Sequence, residues 1–292
     1  MTPRRAAPAL TLHPDGSAPG ERILAVEAPV AVEVDGLGYA VMMMTPVDLE
    51  AFAVGFMLTE RLANDAADVV DAEPFEAEAG WILRVTLAER CRGRIADRVR
   101  HRSSDTGCAL CGIADLEQLR RPVSGPAPRP SAAREALFAA LAALRVHQPL
   151  NAVTGAVHAA AACDAAGRIL AVFEDVGRHN ALDKLIGALA SRSRRAHPPK
   201  QPDFLLVSSR LSFEMVDKAL VARAPMLVGI SAPTTLAVEH AAAHGLTLVA
   251  LARPDAMLVM SDPYGVFSLP AGERDGARAR RVRGGAKPTG RP

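Results

Sequence analysis

Two cysteines stand three residues apart in Thr106-Gly107-Cys108-Ala109-Leu110-Cys111-Gly112, and a thiol pair at this spacing can do covalent chemistry. Glycines flank the pair, and the surrounding stretch from Arg92 to Leu119 is polar and poorly periodic until Asp115. Half a zinc site is one reading, but zinc needs a second pair, and Cys91 and Cys163 do not supply one by spacing. A thioredoxin-like redox motif is another, but that motif opens a helix directly after a core strand, whereas this one precedes a proline-rich connector. A third is sulfur relay, in which a loop thiolate accepts sulfur from a donor's persulfide and carries it to a second site. The thiolate is the attacking species, and Arg100, His101 and Arg102 are near enough in sequence to favour it. A fortuitous structural pair is the fourth. Spacing alone leaves all four open, and Cys91 and Cys163 read as structural thiols.

A second group of chemistry-bearing residues falls at the ends of predicted strands. These are Glu174-Asp175-Val176-Gly177-Arg178-His179-Asn180, Ser208-Ser209-Arg210-Leu211-Ser212, Ser231-Ala232-Pro233-Thr234-Thr235 and Arg253-Pro254-Asp255. Open α/β sheets bind ligands beyond their carboxyl edge, where helix N-termini offer unpaired amides. Hydroxyls, glycine and arginine there suit a phosphate or another anion. Ser, Thr and Asp at a single such place often do no more than cap a helix, but four on one edge describe a ligand crevice. Arg178, His179, Ser209 and Arg210 are its candidate binding residues. His158, on an apolar strand, reads as a satisfied core histidine. Neither a Walker motif nor Gly-x-Gly-x-x-Gly is present, so neither familiar nucleotide loop is used.

The elements that must position these groups follow from periodicity. Residues 1–21 read as a disordered leader rich in Pro and Ala. Strands are predicted over Ile23–Val26, Val30–Val34, Tyr39–Met44 and Trp81–Leu87, with a helix over Asp48–Leu62. These make a small α+β domain over 22–120 that carries the cysteine loop. After a connector over 121–131, Ser131 is placed to cap a helix over Ala132–Val146. Strands over Val153–Ala162 and Ile169–Phe173 flank an Asp164–Gly167 turn. Helices over Asn180–Ala190, Ser212–Ala222 and Thr234–Ala243 then alternate with strands over Phe204–Ser208, Met226–Ser231 and Leu246–Ala252. Such alternation predicts an α/β domain over 132–270 with a mostly parallel sheet and helices on its faces. Residues 271–292 read as a disordered basic tail.

Bulk properties exclude several classes. Net charge is only +2 and aromatics are 4%, so neither a global field nor a stacking platform points to nucleic acid. Prolines interrupt the first twenty residues, against a signal peptide, and no run of about 18 apolar residues suggests a membrane span. Four cysteines in 292 residues fit a reducing cytoplasm better than a disulfide scaffold.

Several strings together resemble the formate dehydrogenase accessory sulfurtransferases, the FdhD or NarQ proteins. They are Glu174-Asp-Val-Gly-Arg-His-Asn-Ala-Leu-Asp-Lys184, Thr154-Gly-Ala-Val-His-Ala-Ala-Ala161, Ser208-Ser-Arg-Leu-Ser-Phe-Glu-Met-Val216, Ser231-Ala-Pro-Thr-Thr-Leu-Ala-Val238, the cysteine loop, and the helix around Asp48–Glu60. The likeness runs from about residue 23 to about 268. It implies a cytoplasmic homodimer that accepts sulfur from a cysteine desulfurase as a persulfide. That sulfur then goes to bis-molybdopterin guanine dinucleotide, bound as substrate, before the cofactor enters formate dehydrogenase. The carrier cysteine then falls on Cys108, with Cys111 as its partner, and the cofactor-binding stretch on Leu251, Ala252, Arg253, Pro254, Asp255 and Ala256. Ala156 and Ser209 stand where members usually carry glycine, and Ala256 where a second basic residue is common.

The resemblance also implies a cytidine deaminase-like second domain, a three-layer sheet with helices on both faces. A zinc deaminase needs His-x-Glu and Pro-Cys-x-x-Cys. The corresponding places here are His179-Asn180-Ala181 and Ser209-Arg210-Leu211-Ser212, which lack the general-base Glu and both thiolates. No zinc is expected.

Overall fold

The computed structural model describes residues 2–95, 125–192 and 201–267. Cys108 and Cys111, residues 121–124 of the connector and the basic tail lie outside the described residues.

The chain opens with β1 (Arg4–His13) and β2 (Gly16–Ala25), paired antiparallel around a Pro14-Asp15 turn. This corrects the reading of 1–21 as a disordered leader. The prolines that suggested disorder are compatible with a two-stranded ribbon, because both its strands are edges and a missing N–H can face outward. β3 (Ala28–Val34) and β4 (Leu37–Met44) form the next hairpin, turned by Asp35 and Gly36 at φ of 48° and 80°. That pair of positive φ values matches the right-handed twist of the flanking strands.

Helix α1 (Leu49–Thr59) and strands β5 (Val69–Ala77) and β6 (Gly80–Leu87) complete the first unit. Its sheet runs β4-β3-β6-β5, with β3 and β6 parallel. The sequence reading did not anticipate β5. Its Asp71, Glu73, Pro74 and Glu76 look like loop residues, yet they sit on an exposed edge strand, where polar side chains and proline are tolerated.

The second half begins with α2 (Arg134–Leu144). Ser131 does not cap it. Its hydroxyl and amide both donate to Asp203, and the same carboxylate also accepts from Ala132 N. A short helix, α3 (Pro149–Thr154), replaces the start of the strand expected over Val153–Ala162. Pro149 sets its first turn, Gly155 ends it at φ 66°, and the Glu174 carboxylate accepts from Leu150 N and Asn151 N at 2.9 and 2.8 Å. These caps stabilise a helix that is too short to show periodicity.

There follow β7 (His158–Cys163), β8 (Ile169–Asp175), α4 (Arg178–Arg192), β9 (Phe204–Val207) and α5 (Phe213–Val221). The chain continues through β10 (Met226–Gly229), α6 (Thr235–Ala243), β11 (Thr247–Ala250) and β12 (Leu258–Ser261). The sheet order is β12-β11-β10-β9-β7-β8. β9, β10 and β11 are parallel, whereas β12 and the β7–β8 hairpin bring antiparallel pairs, so the sheet is mixed. Alternate residues face opposite layers, as the strand period requires. Phe204 and Leu206 pack with α2 residues such as Leu137, while Leu205 and Val207 pack with Leu182, Leu185 and Met215 of α4 and α5. The α/β layers are as expected, but the sheet is mixed rather than mostly parallel, because the β7–β8 hairpin and β12 each add an antiparallel neighbour.

The two halves share one core. Apolar residues of β3, β6 and α1 belong to the same buried cluster as those of α4, α5, β9 and β11. At the crossing of α1 and α4 the backbones touch. A Cβ on Gly55 would stand 1.8 Å from Asp183 O, and one on Gly187 1.9 Å from Ala51 O.

Candidate functional site

The carboxyl ends of β8, β9, β10 and β11, with the N-terminal end of the antiparallel β7, form one crescent along the sheet. Backbone hydrogen bonds stitch it together. Ser208 N donates to Ala159 O, Ile230 N to Val207 O, Leu211 N to Ala232 O, Thr234 N to Leu211 O and Leu251 N to Ser231 O. The four strand-end segments singled out from sequence therefore meet on one edge.

Arg178 and His179 open α4 after the Val176-Gly177 turn. His179 Nε2 lies 2.9 Å from Glu214 Oε2 at the start of α5, close enough for an ion pair although off the ideal line of a ring N–H bond. That contact with His179 holds the Glu214 carboxyl below its usual value. His158 is half-buried at the crescent rather than in the core, with Nδ1 3.4 Å from Ser208 Oγ. Burial, followed by the charges of Arg178 and His179, pushes its pKa down, so it stays neutral at pH 7. Arg178 Nε and Ser212 Oγ are buried without a hydrogen-bond partner among the described residues.

Ser209 is buried, and its hydroxyl donates to Arg210 O at 3.1 Å, while Arg210 is exposed. Leu251 takes a left-handed conformation at φ 49°, and the chain then runs from buried Ala252 to exposed Arg253, Pro254, Asp255 and Ala256. The Arg253 guanidinium donates to the carbonyls of Ile230 and Ala252, which braces the β10 and β11 ends together. Beside Ile230 lies a cavity of about 510 Å³ that Arg22, Arg145, Gln148 and Asn151 also line. Among the described residues, no group of three or more His, Cys, Asp or Glu could hold a metal ion.

The other half of the Glu174–Lys184 string is structural, which sequence reasoning missed. Lys184 Nζ donates to Asp175 Oδ2 at 2.6 Å and to Thr45 O at 2.9 Å, and both charged side chains are fully buried. The Asp175 carboxylate also accepts from Thr45 N, Gly177 N and Asn180 Nδ2. Asn180 in turn donates to Met43 O. One residue before Lys184, Asp183 accepts from Lys218 Nζ at 2.8 Å and from Thr59 Oγ1 at 2.8 Å. Burial pushes the Asp183 carboxyl up, against the pull of Lys218. Through Thr45, Met43 and Thr59 these groups fasten α4 to the first unit, which orients Arg178 and His179 at the sheet edge. One signal was available in sequence. Asp175, Asn180, Asp183 and Lys184 crowd into ten residues together with Arg178 and His179, more polar groups than one crevice could use.

A third cluster binds α5 to its neighbours. Arg61 donates in bidentate fashion to Asp217 at 2.8 Å, and His240 Nε2 lies 3.2 Å from the same carboxylate. Burial would raise the Asp217 carboxyl, but the hydrogen bonds and charges of His240 and Arg61 outweigh it and hold the value at about 2.

Residues 25–266 match the FdhD/NarQ family. A protein named sulfur carrier protein FdhD from Variovorax paradoxus is 42% identical over 248 residues, covering 85% of this chain and 88% of that one. One of the same name from Xanthomonas euvesicatoria is 44% identical over 251 residues, covering 85% and 86%. The fold is also similar to a crystal structure of a proposed formate dehydrogenase accessory protein from Desulfotalea psychrophila. There the TM-score is 0.69 at 23% identity, covering 90% of this chain and 99% of that one. The chain belongs to the FdhD/NarQ family. No helix among the described residues is long and apolar enough to cross a membrane.

Proposed function

We propose that this protein is a cytoplasmic sulfur carrier that matures formate dehydrogenase. In this reading the Cys108 thiolate attacks the outer sulfur of a persulfide on a cysteine desulfurase. The donor's S–S bond breaks, the donor leaves as a thiolate, and Cys108 holds the new persulfide, with Cys111 as its partner cysteine. The Cys111 thiolate then attacks Cys108 Sγ and breaks its S–S bond, so the outer sulfur leaves as sulfide to bis-molybdopterin guanine dinucleotide, which is bound as substrate, and a Cys108–Cys111 disulfide is left for a cellular thiol to reduce. The protein acts as a homodimer and needs no zinc.

The observation that carries this reading is the chemistry of the strand-end crescent, taken with family membership. Arg178 Nε and Ser212 Oγ are buried donors without partners. Leaving such a donor unmade costs about 1–3 kcal/mol, which an anionic acceptor on the ligand would recover. The amide ends of α4 and α5 and the exposed Arg210 add positive potential on the same edge. These features suit the phosphates of a guanine dinucleotide. In this reading Arg178, His179, Ser209, Arg210 and the 251–256 stretch hold the cofactor, and neutral His158 serves as a hydrogen-bond partner.

Cys108→Ala tests the reading. The variant should fold normally but fail to support formate dehydrogenase maturation. Normal maturation with this variant would refute the carrier role and leave a cofactor-binding chaperone in its place.

A further inference from the structure

The β1–β2 ribbon has almost no burial of its own. Nearly every residue of both strands is exposed, yet ten pairs run in unbroken register from Arg4↔Ala25 to His13↔Gly16. An isolated two-stranded hairpin is marginal in water, so a ladder this long needs a surface to lie on. Residues directly opposite share a face, which puts Leu12, Leu10, Pro8 and Ala6 together with Ser17, Pro19, Glu21 and Ile23. At the stem Ile23 is half-buried, whereas further out Leu10 and Leu12 are 60% and 77% exposed. One apolar stripe is thus covered at its root and bare toward its tip. The stem is anchored by Arg22, whose Nη2 donates to Thr154 O at 3.0 Å.

We propose that the ribbon is an exchange arm that lies across a second copy of this chain, tip to stem, in a two-fold pair. This deepens the homodimer of the reading above by naming its surface. Three observations favour a second copy. The surroundings of the stem are themselves apolar and exposed at Leu24, Val146 and Val153, so each copy offers the patch that the other's tip needs, as an isologous contact requires. Charge is also complementary, since Asp15 marks the tip while Arg4, Arg5 and Arg22 sit at the stem. Area is sufficient as well. A ten-residue ribbon is roughly 33 Å long and about 10 Å wide, so two arms and their two receiving surfaces bury on the order of 1,300 Å², within the range of stable interfaces. Because Arg22 also lines the cavity beside Ile230, fixing the arm fixes one wall next to the crescent.

The test is the mass of the full chain in solution, read by light scattering at micromolar concentration. Wild type should show about twice the 30.7 kDa of one chain. L10D/L12D, at positions too exposed to disturb the monomer, should weaken the dimer by a hundredfold or more and run as a monomer. Val41→Asp, at an equally exposed apolar site on β4, should leave the dimer intact. A monomeric wild type would overturn the proposal, as would an undiminished L10D/L12D dimer or a Val41→Asp variant that dissociates as readily. Sulfur loading of Cys108 is read by mass spectrometry on the same preparations. An L10D/L12D monomer that still acquires sulfur separates the fate of the arm from that of the carrier reading.

Discussion

Lys184→Met removes a buried ammonium while keeping most of the volume of its stem. The Asp175 carboxylate is then left without its closest partner, at 2.6 Å, in a place where neither side chain is exposed. Breaking one side of a buried pair costs about 3–5 kcal/mol, because a charge is stranded. Three donors still reach Asp175, from Thr45 N at 3.1 Å, Gly177 N at 2.7 Å and Asn180 Nδ2 at 3.1 Å. They place the expected loss at the low end, about 3 kcal/mol, out of a total of roughly 5–15 kcal/mol for a folded protein. Asp175→Ala strands all four donors at once, so its loss should reach about 5 kcal/mol or more. Urea denaturation followed by circular dichroism reads both variants, and thermal unfolding should show Lys184→Met melting roughly 6–12 °C lower. A Lys184→Met variant within about 1 kcal/mol of wild type would refute the assignment of this pair to the joint between the two halves. So would an Asp175→Ala variant milder than Lys184→Met.

Two further outcomes follow from the packing. The folded Asp217 carboxyl, at about 2, lies below an unfolded value near 3.9. Its contribution is therefore complete above about pH 4 and gone below about pH 2, a loss of roughly 2 kcal/mol. Urea midpoints measured from pH 5 to pH 2 should show that slope in wild type and a flatter one in Asp217→Asn. Gly187→Ala would set a methyl 1.9 Å from Ala51 O and 2.5 Å from Gly55 N. Forcing α1 and α4 apart costs about 1–3 kcal/mol or more, against about 1 kcal/mol gained in helix propensity. The same denaturation assay should show net destabilisation, and a stabilised variant would contradict the close crossing.

Long, strongly patterned elements were legible in sequence because their burial is regular. The α1 helix, the strands from β9 to β11 and the helices between them all fall within a few residues of their expected places. Short or polar elements were hidden. Helix α3 depends on a carboxylate from Glu174 on another strand, and β5 has the composition of a loop. Tertiary partners create such elements, and local periodicity does not register them. Strand β12 was missed for a similar reason, since Leu258, Val259 and Met260 are all exposed and show no alternation. The strand-end crescent was legible because hydroxyls and arginines follow each predicted strand. The division of labour within Glu174–Lys184 was not. Residue types cannot say which charges turn inward to Thr45 and which, like Arg178 and His179, remain at the edge.

Mass spectrometry of this protein after incubation with a cysteine desulfurase and cysteine bears most directly on the sulfur-carrier function. The peptide containing Cys108 should gain the mass of a sulfur atom that a reductant removes, and the gain should vanish in Cys108→Ala. An unmodified Cys108, under conditions in which formate dehydrogenase still becomes active, would contradict it.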